Sequence, residues 1–136
     1  MGKVLGIDFG MKRCGIAITD ELKIIASPLE TVDSKIIITY LKQIVLKENI
    51  EKIVLGEPKR LNNEDSQTTL YVRQFAEKLK ELFPHLAIQL VDERLTSKMA
   101  QHTLINSGLN KKQRRDKSRL DTISATLILQ TYLQSI

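Results

Sequence analysis

The sequence predicts an α/β fold: a mixed sheet that opens with an antiparallel three-strand meander, follows the order β-β-β-α-β-α-β-α, and carries helices on both faces. Three observations lead there. The N-terminal part holds short apolar runs divided by turn signals, the middle alternates strand-like and helix-like segments, and the C-terminal end repeats apolar residues at helical spacing. A chain of 136 residues fits one domain, spanning 1–136, and is long enough to bury a core without disulfide or metal staples.

Val4-Leu5-Gly6-Ile7-Asp8-Phe9 is an apolar run ending at an acid, and Cys14-Gly15-Ile16-Ala17-Ile18-Thr19 is a second. The basic turn Gly10-Met11-Lys12-Arg13 joins them as a β-hairpin. Lys23 to Ala26 starts a third strand that continues towards Thr31 and is interrupted by Pro28. From Ser34 the period changes: Ile37, Tyr40, Leu41, Ile44 and Val45 recur at helical spacing, with Asp33 or Ser34 as the cap. Lys52 to Gly56 is a buried strand, and Glu57 to Gln67 a polar loop. A second helix runs from about Ser66 to Phe83 through Leu70, Phe75, Leu79 and Leu82, and Pro84 stops it. Ala87 to Val91 is a strand that delivers Asp92-Glu93-Arg94 at its end. Thr96 to Ser107 reads as a short helix closed by Gly108, Asn110 to Arg119 as a basic loop, and about Ser118 to Leu133 as the last helix.

The net charge of +5 and a pI near 9.4 suit a polyanionic partner such as nucleic acid, although charge speaks to association and not to fold. Cys14 is the only cysteine, which excludes an internal disulfide and suits a reducing cytosol. Its place in an apolar strand marks it as a small core residue and not a nucleophile. The opening residues meet Asp8 too early for a signal-peptide apolar region, and no apolar run approaches the roughly 20 residues that span a bilayer. A cytoplasmic protein with no membrane partner is expected.

Three acids carry the functional reading. Asp8 ends what should be a central strand, where a carboxylate is costly unless it meets a cation or hydrogen-bond donors. Glu93 follows its own strand, where an ion pair with Arg94 is the bland alternative. Asp121 opens the last helix, where capping and the helix dipole would account for it alone. Positions 125, 128 and 132 continue its face as Ala125, Ile128 and Tyr132, and the small Ala125 would let this helix lie close to the sheet. Acids at two strand ends and at the start of a covering helix can converge on one point. Carboxylates so crowded must bind cations or take up protons. All-oxygen donors favour Mg²⁺ (or Mn²⁺), while the lack of paired His or Cys argues against zinc. Two such ions would activate a water and stabilise the leaving oxygen of an in-line displacement at phosphorus.

The segments Gly6-Ile7-Asp8-Phe9-Gly10, Lys12-Arg13, Gly15-Ile16-Ala17, Asp92-Glu93-Arg94-Leu95-Thr96-Ser97 and Asp121 with Ala125 closely resemble the pre-16S rRNA nuclease family, also described as Holliday junction resolvases of the YqgF type. The resemblance runs nearly from end to end, in the right order and spacing. It implies a ribonuclease-H-like fold, a bacterial cytoplasmic setting and a role in maturing the 5′ end of 16S rRNA. Carried over residue by residue, the family's catalytic and metal-holding acids fall on Asp8, Glu93 and Asp121. The family's Gly-x-Pro segment matches Gly56-Glu57-Pro58, with an acid where the family is usually apolar. The small pair that follows the last acid is Ser124-Ala125.

Lys12 and Arg13 flank Asp8, where cations could grip a phosphate, and a solvated hairpin turn explains them equally well. Arg94 could orient Glu93, contact a phosphate or do both. Thr96-Ser97 suit a helix cap better than a catalytic role. Lys111, Lys112, Arg114, Arg115, Lys117 and Arg119 form the densest basic cluster and lead straight into Asp121, which favours phosphate-backbone binding over plain solvated surface. Few aromatics accompany them, so base stacking is not expected. His85 and His102 read as surface residues, and Glu64-Asp65 as loop acids without a defined role.

The expected activity is metal-dependent phosphodiester hydrolysis, with structured RNA as the substrate implied by the resemblance. A junction resolvase would use the same chemistry on branched DNA and need a homodimer for two symmetric cuts, whereas the RNA enzyme could be a monomer. A non-catalytic RNA-binding assembly factor would keep the fold and lose the metal. Asp8-Phe9-Gly10 also echoes the phosphate loop of actin-like ATPases, but those close two lobes on a nucleotide and this chain supplies one.

Overall fold

Short β-branched and apolar runs form the first three strands, β1 (Lys3–Asp8), β2 (Arg13–Thr19) and β3 (Ala26–Asp33). They pair antiparallel through Ile7↔Ile16 and Gly15↔Thr31, giving the expected meander. α1 (Ile37–Lys47), β4 (Ile50–Glu57), α2 (Gln67–Leu82), β5 (Ala87–Asp92) and α3 (Lys117–Ser135) follow. The computed structural model describes residues 2–57, 67–92 and 117–135, with the side chains of 67 and 117–121 left out. β4 lies parallel to β1 through Gly6↔Val54, and β5 parallel to β4 through Leu55↔Leu90, so the sheet order is β3-β2-β1-β4-β5.

The central strands β1 and β4 are apolar on both sides, as parallel strands covered by helices must be. Period-2 alternation sorts their side chains between two cores. Leu5, Ile7, Cys14, Ile16, Ile53 and Leu55 pack against Leu41 and Ile44 of α1 and Val72, Phe75 and Leu79 of α2. Val4, Ala17 and Val54 point the other way, against Ala125, Ile128, Leu129 and Tyr132 of α3. Helices therefore cover both faces. Among the described residues no helix is long and apolar enough to cross a membrane.

Several expectations are corrected. The third strand begins at Ala26, not Lys23, and runs through Pro28 to Asp33. Proline is tolerated because β3 is an edge strand, and the register slips there, from Ile16↔Glu30 to Ala17↔Pro28. Neither Asp33 nor Ser34 caps α1; Ile36 holds the N-cap position without a side-chain hydrogen bond. Asp33 instead accepts a hydrogen bond from Lys35 N at 2.8 Å, and Ser34 Oγ donates to Gly10 O at 2.6 Å. Both polar side chains are spent on turns, one of them pinning the β1–β2 hairpin. Leu70, expected on the buried stripe of α2, is exposed, and Leu82 is partly so, because the stripe is built on Val72, Phe75, Ala76 and Leu79. Glu57 belongs to β4 and not to the following loop. Lys117 to Arg119 form the first turn of α3 and not the end of a loop. The expected short helix from Thr96 to Ser107 and the rest of the basic loop lie outside the described residues.

Candidate functional site

The strand ends decide where chemistry can sit. β1, β4 and β5 run in parallel, so Asp8, Glu57 and Asp92 all close their strands at the same edge of the sheet. Glu57 and Asp92 are register partners. The turn after Asp8 is tightly made. Phe9 stacks on Phe75 of α2 with ring centroids 4.6 Å apart, which fixes the chain on the α2 side. A Cβ on Gly10 would stand 2.5 Å from Arg13 O, so only glycine fits the bend. Gly10 O accepts the Ser34 hydroxyl, Ser34 N donates to Lys12 O at 3.0 Å, and buried Cys14 places Sγ 3.5 Å from Ser34 Oγ. Cys14 is thus a core residue that steadies the hairpin, as expected.

Asp8 shares the parity of Val4 and Gly6, and so lies on the α3 side of β1. α3 approaches that side closely: a Cβ on Gly6 would overlap Leu129 Cγ and stand 3.0 Å from Ala125 O. Its direction can be read from two contacts. Lys52, the register partner of Val4, donates from Nζ to Tyr132 Oη at 2.9 Å, whereas Ala125 and Leu129 sit over Gly6. Moving towards the N-terminus of α3 therefore means moving from Val4 towards the Asp8 end of β1. The backbone of residue 121 lies one turn before Ala125 along that path. The first turn of α3 contains no acid, so Asp121 is not the cap that its position in the sequence suggests; the helix begins earlier, at Lys117.

Lys12 is exposed in the turn, and Arg13, half-buried, opens β2 on the same parity as Gly15, the register partner of Asp8. Glu93, Arg94, Thr96, Ser97, Glu64, Asp65, His102, Lys111, Lys112, Arg114 and Arg115 lie outside the described residues, and Lys117, Arg119 and Asp121 are placed by backbone alone. Among the described residues no three His, Cys, Asp or Glu side chains gather to hold a metal. Among the described residues the side chains that close the strands at this edge offer only oxygen donors: Asp8 on the α3 side, and Glu57 and Asp92 on the α2 side by strand parity, whereas Cys14 is buried among apolar side chains and His85 is exposed at the opposite edge, ring to edge with Phe83. That donor chemistry fits a hard divalent cation and does not fit zinc.

Sequence reasoning missed one pair. Glu57 is buried, with 11% of its side chain exposed, and accepts a 2.9 Å hydrogen bond from Nε of Arg73, whose side chain is 39% exposed. Glu57 drew notice only for breaking an apolar pattern, and nothing in the sequence links it to a residue one helix later.

The comparisons agree with this architecture. A protein of Flavobacterium psychrophilum named "Putative pre-16S rRNA nuclease" is 53% identical over 133 residues, covering 98% of this chain and 97% of its own. One of the same name from Porphyromonas gingivalis is 47% identical over 99% of this chain and 98% of its own. Among solved structures, Thermus thermophilus RuvC in complex with a Holliday junction substrate matches with a TM-score of 0.62 at 16% identity, covering 99% of this chain and 96% of that one. The yeast mitochondrial Holliday junction resolvase Ydc2 matches with a TM-score of 0.54 at 13% identity, over 96% of this chain and 77% of that one. These two likenesses establish the fold as the ribonuclease-H-like architecture of resolvases. The family model described as "RuvX: Holliday junction resolvase" matches residues 2–135, and the chain belongs to that family.

Proposed function

We propose that the chain, as one domain over residues 1–136, is a cytoplasmic nuclease that hydrolyses phosphodiester bonds in the maturation of the 16S rRNA 5′ end, with Asp8, Glu93 and Asp121 holding Mg²⁺ or Mn²⁺. The observation that carries this reading is the seat of α3 on Gly6, which directs the helix towards the Asp8 end of β1 with residue 121 next along its path. Val91, partly buried against the α3-side core, precedes Glu93 by two residues. The relatives' shared name supplies the RNA substrate. When bound, the ion supplies activation of a water and stabilisation of the leaving 3′ oxygen. The chain's own residues do the remainder: the carboxylates offer oxygen donors on a fixed frame, and Phe9 and Gly10 lock the turn that carries Asp8. Lys12, Arg13, Arg94 and the cluster Lys111, Lys112, Arg114, Arg115, Lys117 and Arg119 hold the phosphate backbone, with affinity that falls as salt rises.

The family description favours a second reading, cleavage of branched DNA. Two symmetric cuts would then require a homodimer, whereas a single cut in RNA needs only one site and is open to a monomer or a homodimer.

The deciding experiment is cleavage of a 16S precursor fragment with Mg²⁺ or Mn²⁺, run beside a synthetic four-way DNA junction, for wild type and Asp8→Asn. Cleavage of the RNA that disappears in Asp8→Asn supports the proposal. Cleavage of the junction alone selects the resolvase. RNA bound but uncut by either protein overturns the enzymatic reading in favour of an assembly factor.

A further inference from the structure

We infer that the end of the molecule opposite the acids is a homodimer contact, in which the β2–β3 turn and the C-terminal part of α3 meet the same surface of a second copy. The observation behind it is an exposed apolar patch. β1 runs towards Asp8 and β2 runs back, so the turn between Thr19 and Ala26 lies at the far end of the sheet from Asp8. That turn presents Leu22, Ile24 and Ile25 with 69%, 68% and 62% of their surface exposed. A groove of about 410 Å³ runs beside it, walled by Ile24 and by Gln130, Leu133 and Gln134 of α3. Large aliphatic side chains gathered in one turn beside a groove are more than the single, scattered exposures of an ordinary surface, and mark a place of contact.

The patch is rigidly built. Asp20 Oδ1 accepts from Ile24 N and Ile25 N at 2.8 and 2.9 Å, Lys23 N donates to Asp20 O at 3.1 Å, and Asp20 N donates to Ile25 O at 3.3 Å. These bonds hold Lys23 in the left-handed region, with φ at 59°, which a lysine seldom adopts. A turn so fixed gives up little freedom on docking. Charge then selects the occupant. Lys23 pairs with Glu51 and Lys3 with Glu48, Asp20 spends its carboxylate on the two amides, and Glu21 lies within the field of Lys3. These two lysines are thus neutralised within a chain that carries +5, which speaks against a polyanion at this end. A two-fold contact sets like against like, and so needs a centre without uncompensated charge. Aliphatic side chains and carboxamides supply one. A carboxamide both donates and accepts, so Gln130 and Gln134 can pair with glutamines of the second copy. β3 does not extend the contact as paired strands, because Pro28 interrupts the donors of its open edge. Contact through this end leaves the acid edge of each copy open to substrate, so such a homodimer does not by itself select the resolvase.

The test is sedimentation equilibrium of the full chain over a wide range of protein concentration, for wild type, Ile24→Lys and Gln134→Glu, each with its melting temperature. The patch is small beside the roughly 800 Å² per partner of a stable complex, so the wild type should dimerise reversibly with Kd in the micromolar range. Each variant sets like charges against one another across the two-fold and should raise that Kd by about tenfold or more. Both positions are exposed, so the melting temperature of the monomer should hold. Should Ile24→Lys disturb the turn, Gln134→Glu, on the outer surface of α3, decides alone. A wild type that stays monomeric throughout overturns the inference and leaves the patch to a foreign partner. A dimer whose Kd neither variant moves also overturns it, because the contact then lies on another surface. No arm depends on cleavage, so the dimer contact and the nuclease reading stand or fall separately.

Discussion

Ala125 O lies 3.0 Å from the point where a Cβ on Gly6 would stand, so the last helix and the central strand meet backbone to backbone. No other residue than glycine lets them do so. A methyl group at position 6 must push against Leu129 and a backbone carbonyl that cannot swing aside. Gly6→Ala should therefore destabilise the fold by about 1–3 kcal/mol, the usual range for overpacking. It should also lower nuclease activity at temperatures where the variant is still folded, because displacing α3 displaces residue 121 relative to Asp8. Thermal melts paired with cleavage assays well below the melting temperature check both halves. Activity that survives in full alongside a lower melting point would separate α3 from the site.

The acids make a second prediction that does not depend on turnover. A cation that binds only the folded chain raises its stability by mass action, by about 2.7 kcal/mol at a hundredfold excess over Kd. Mg²⁺ should raise the melting temperature of the wild type saturably, and should leave Asp8→Asn unmoved at matched ionic strength. Equal shifts in both proteins would place the ion elsewhere.

Much of this arrangement was legible in the sequence. The hairpin around Gly10, the meander and the burial of Cys14 follow from local pattern, because strand period and turn chemistry act over a few residues. The face Ala125, Ile128 and Tyr132 was legible too, since helical period survives in any context. Pro28 misled because its tolerance depends on β3 being an edge, which is a property of the whole sheet. Leu70 misled because an apolar residue at roughly the right spacing can still sit off the buried stripe. For Asp121 the order reverses. Its apparent place at a helix start suggested a cap, and only the extension of α3 back to Lys117 removes that explanation. Glu57 and Arg73 meet through tertiary structure alone, which no local pattern encodes.

A pH-sensitive feature sits away from the acids, in the turn between β2 and β3. Asp20 accepts hydrogen bonds from Ile25 N and Ile24 N at 2.9 and 2.8 Å, and these two donors hold its carboxyl below the ordinary aspartate value of 3.8. A depressed folded value means that the contribution to stability is present above 3.8 and is lost as pH falls through the lower, folded value. The amide resonances of Ile24 and Ile25 should shift together with a midpoint below 3.8, and Asp20→Asn should abolish that titration. A midpoint at or above the ordinary value would mean that the turn does not hold its carboxylate.

The ring stack between Phe9 and Phe75 links the stability of α2 to the position of Asp8. The centroids lie 4.6 Å apart with the planes inclined by 26°, and Phe9 is only partly buried against the core. Phe9→Ala should cost about 2–3 kcal/mol, less than a fully enclosed phenylalanine, because part of the ring already faces water. The kinetic consequence should be larger than the thermal one. Asp8 is the preceding residue, and without the ring the turn loses its anchor on the α2 side while the cations Lys12 and Arg13 stay in the chain. kcat should then fall more than KM rises, and Phe9→Leu, which retains apolar bulk but not the stack, should recover most of both. A variant whose KM alone rises would show that Phe9 serves binding and leaves the carboxylate where it was.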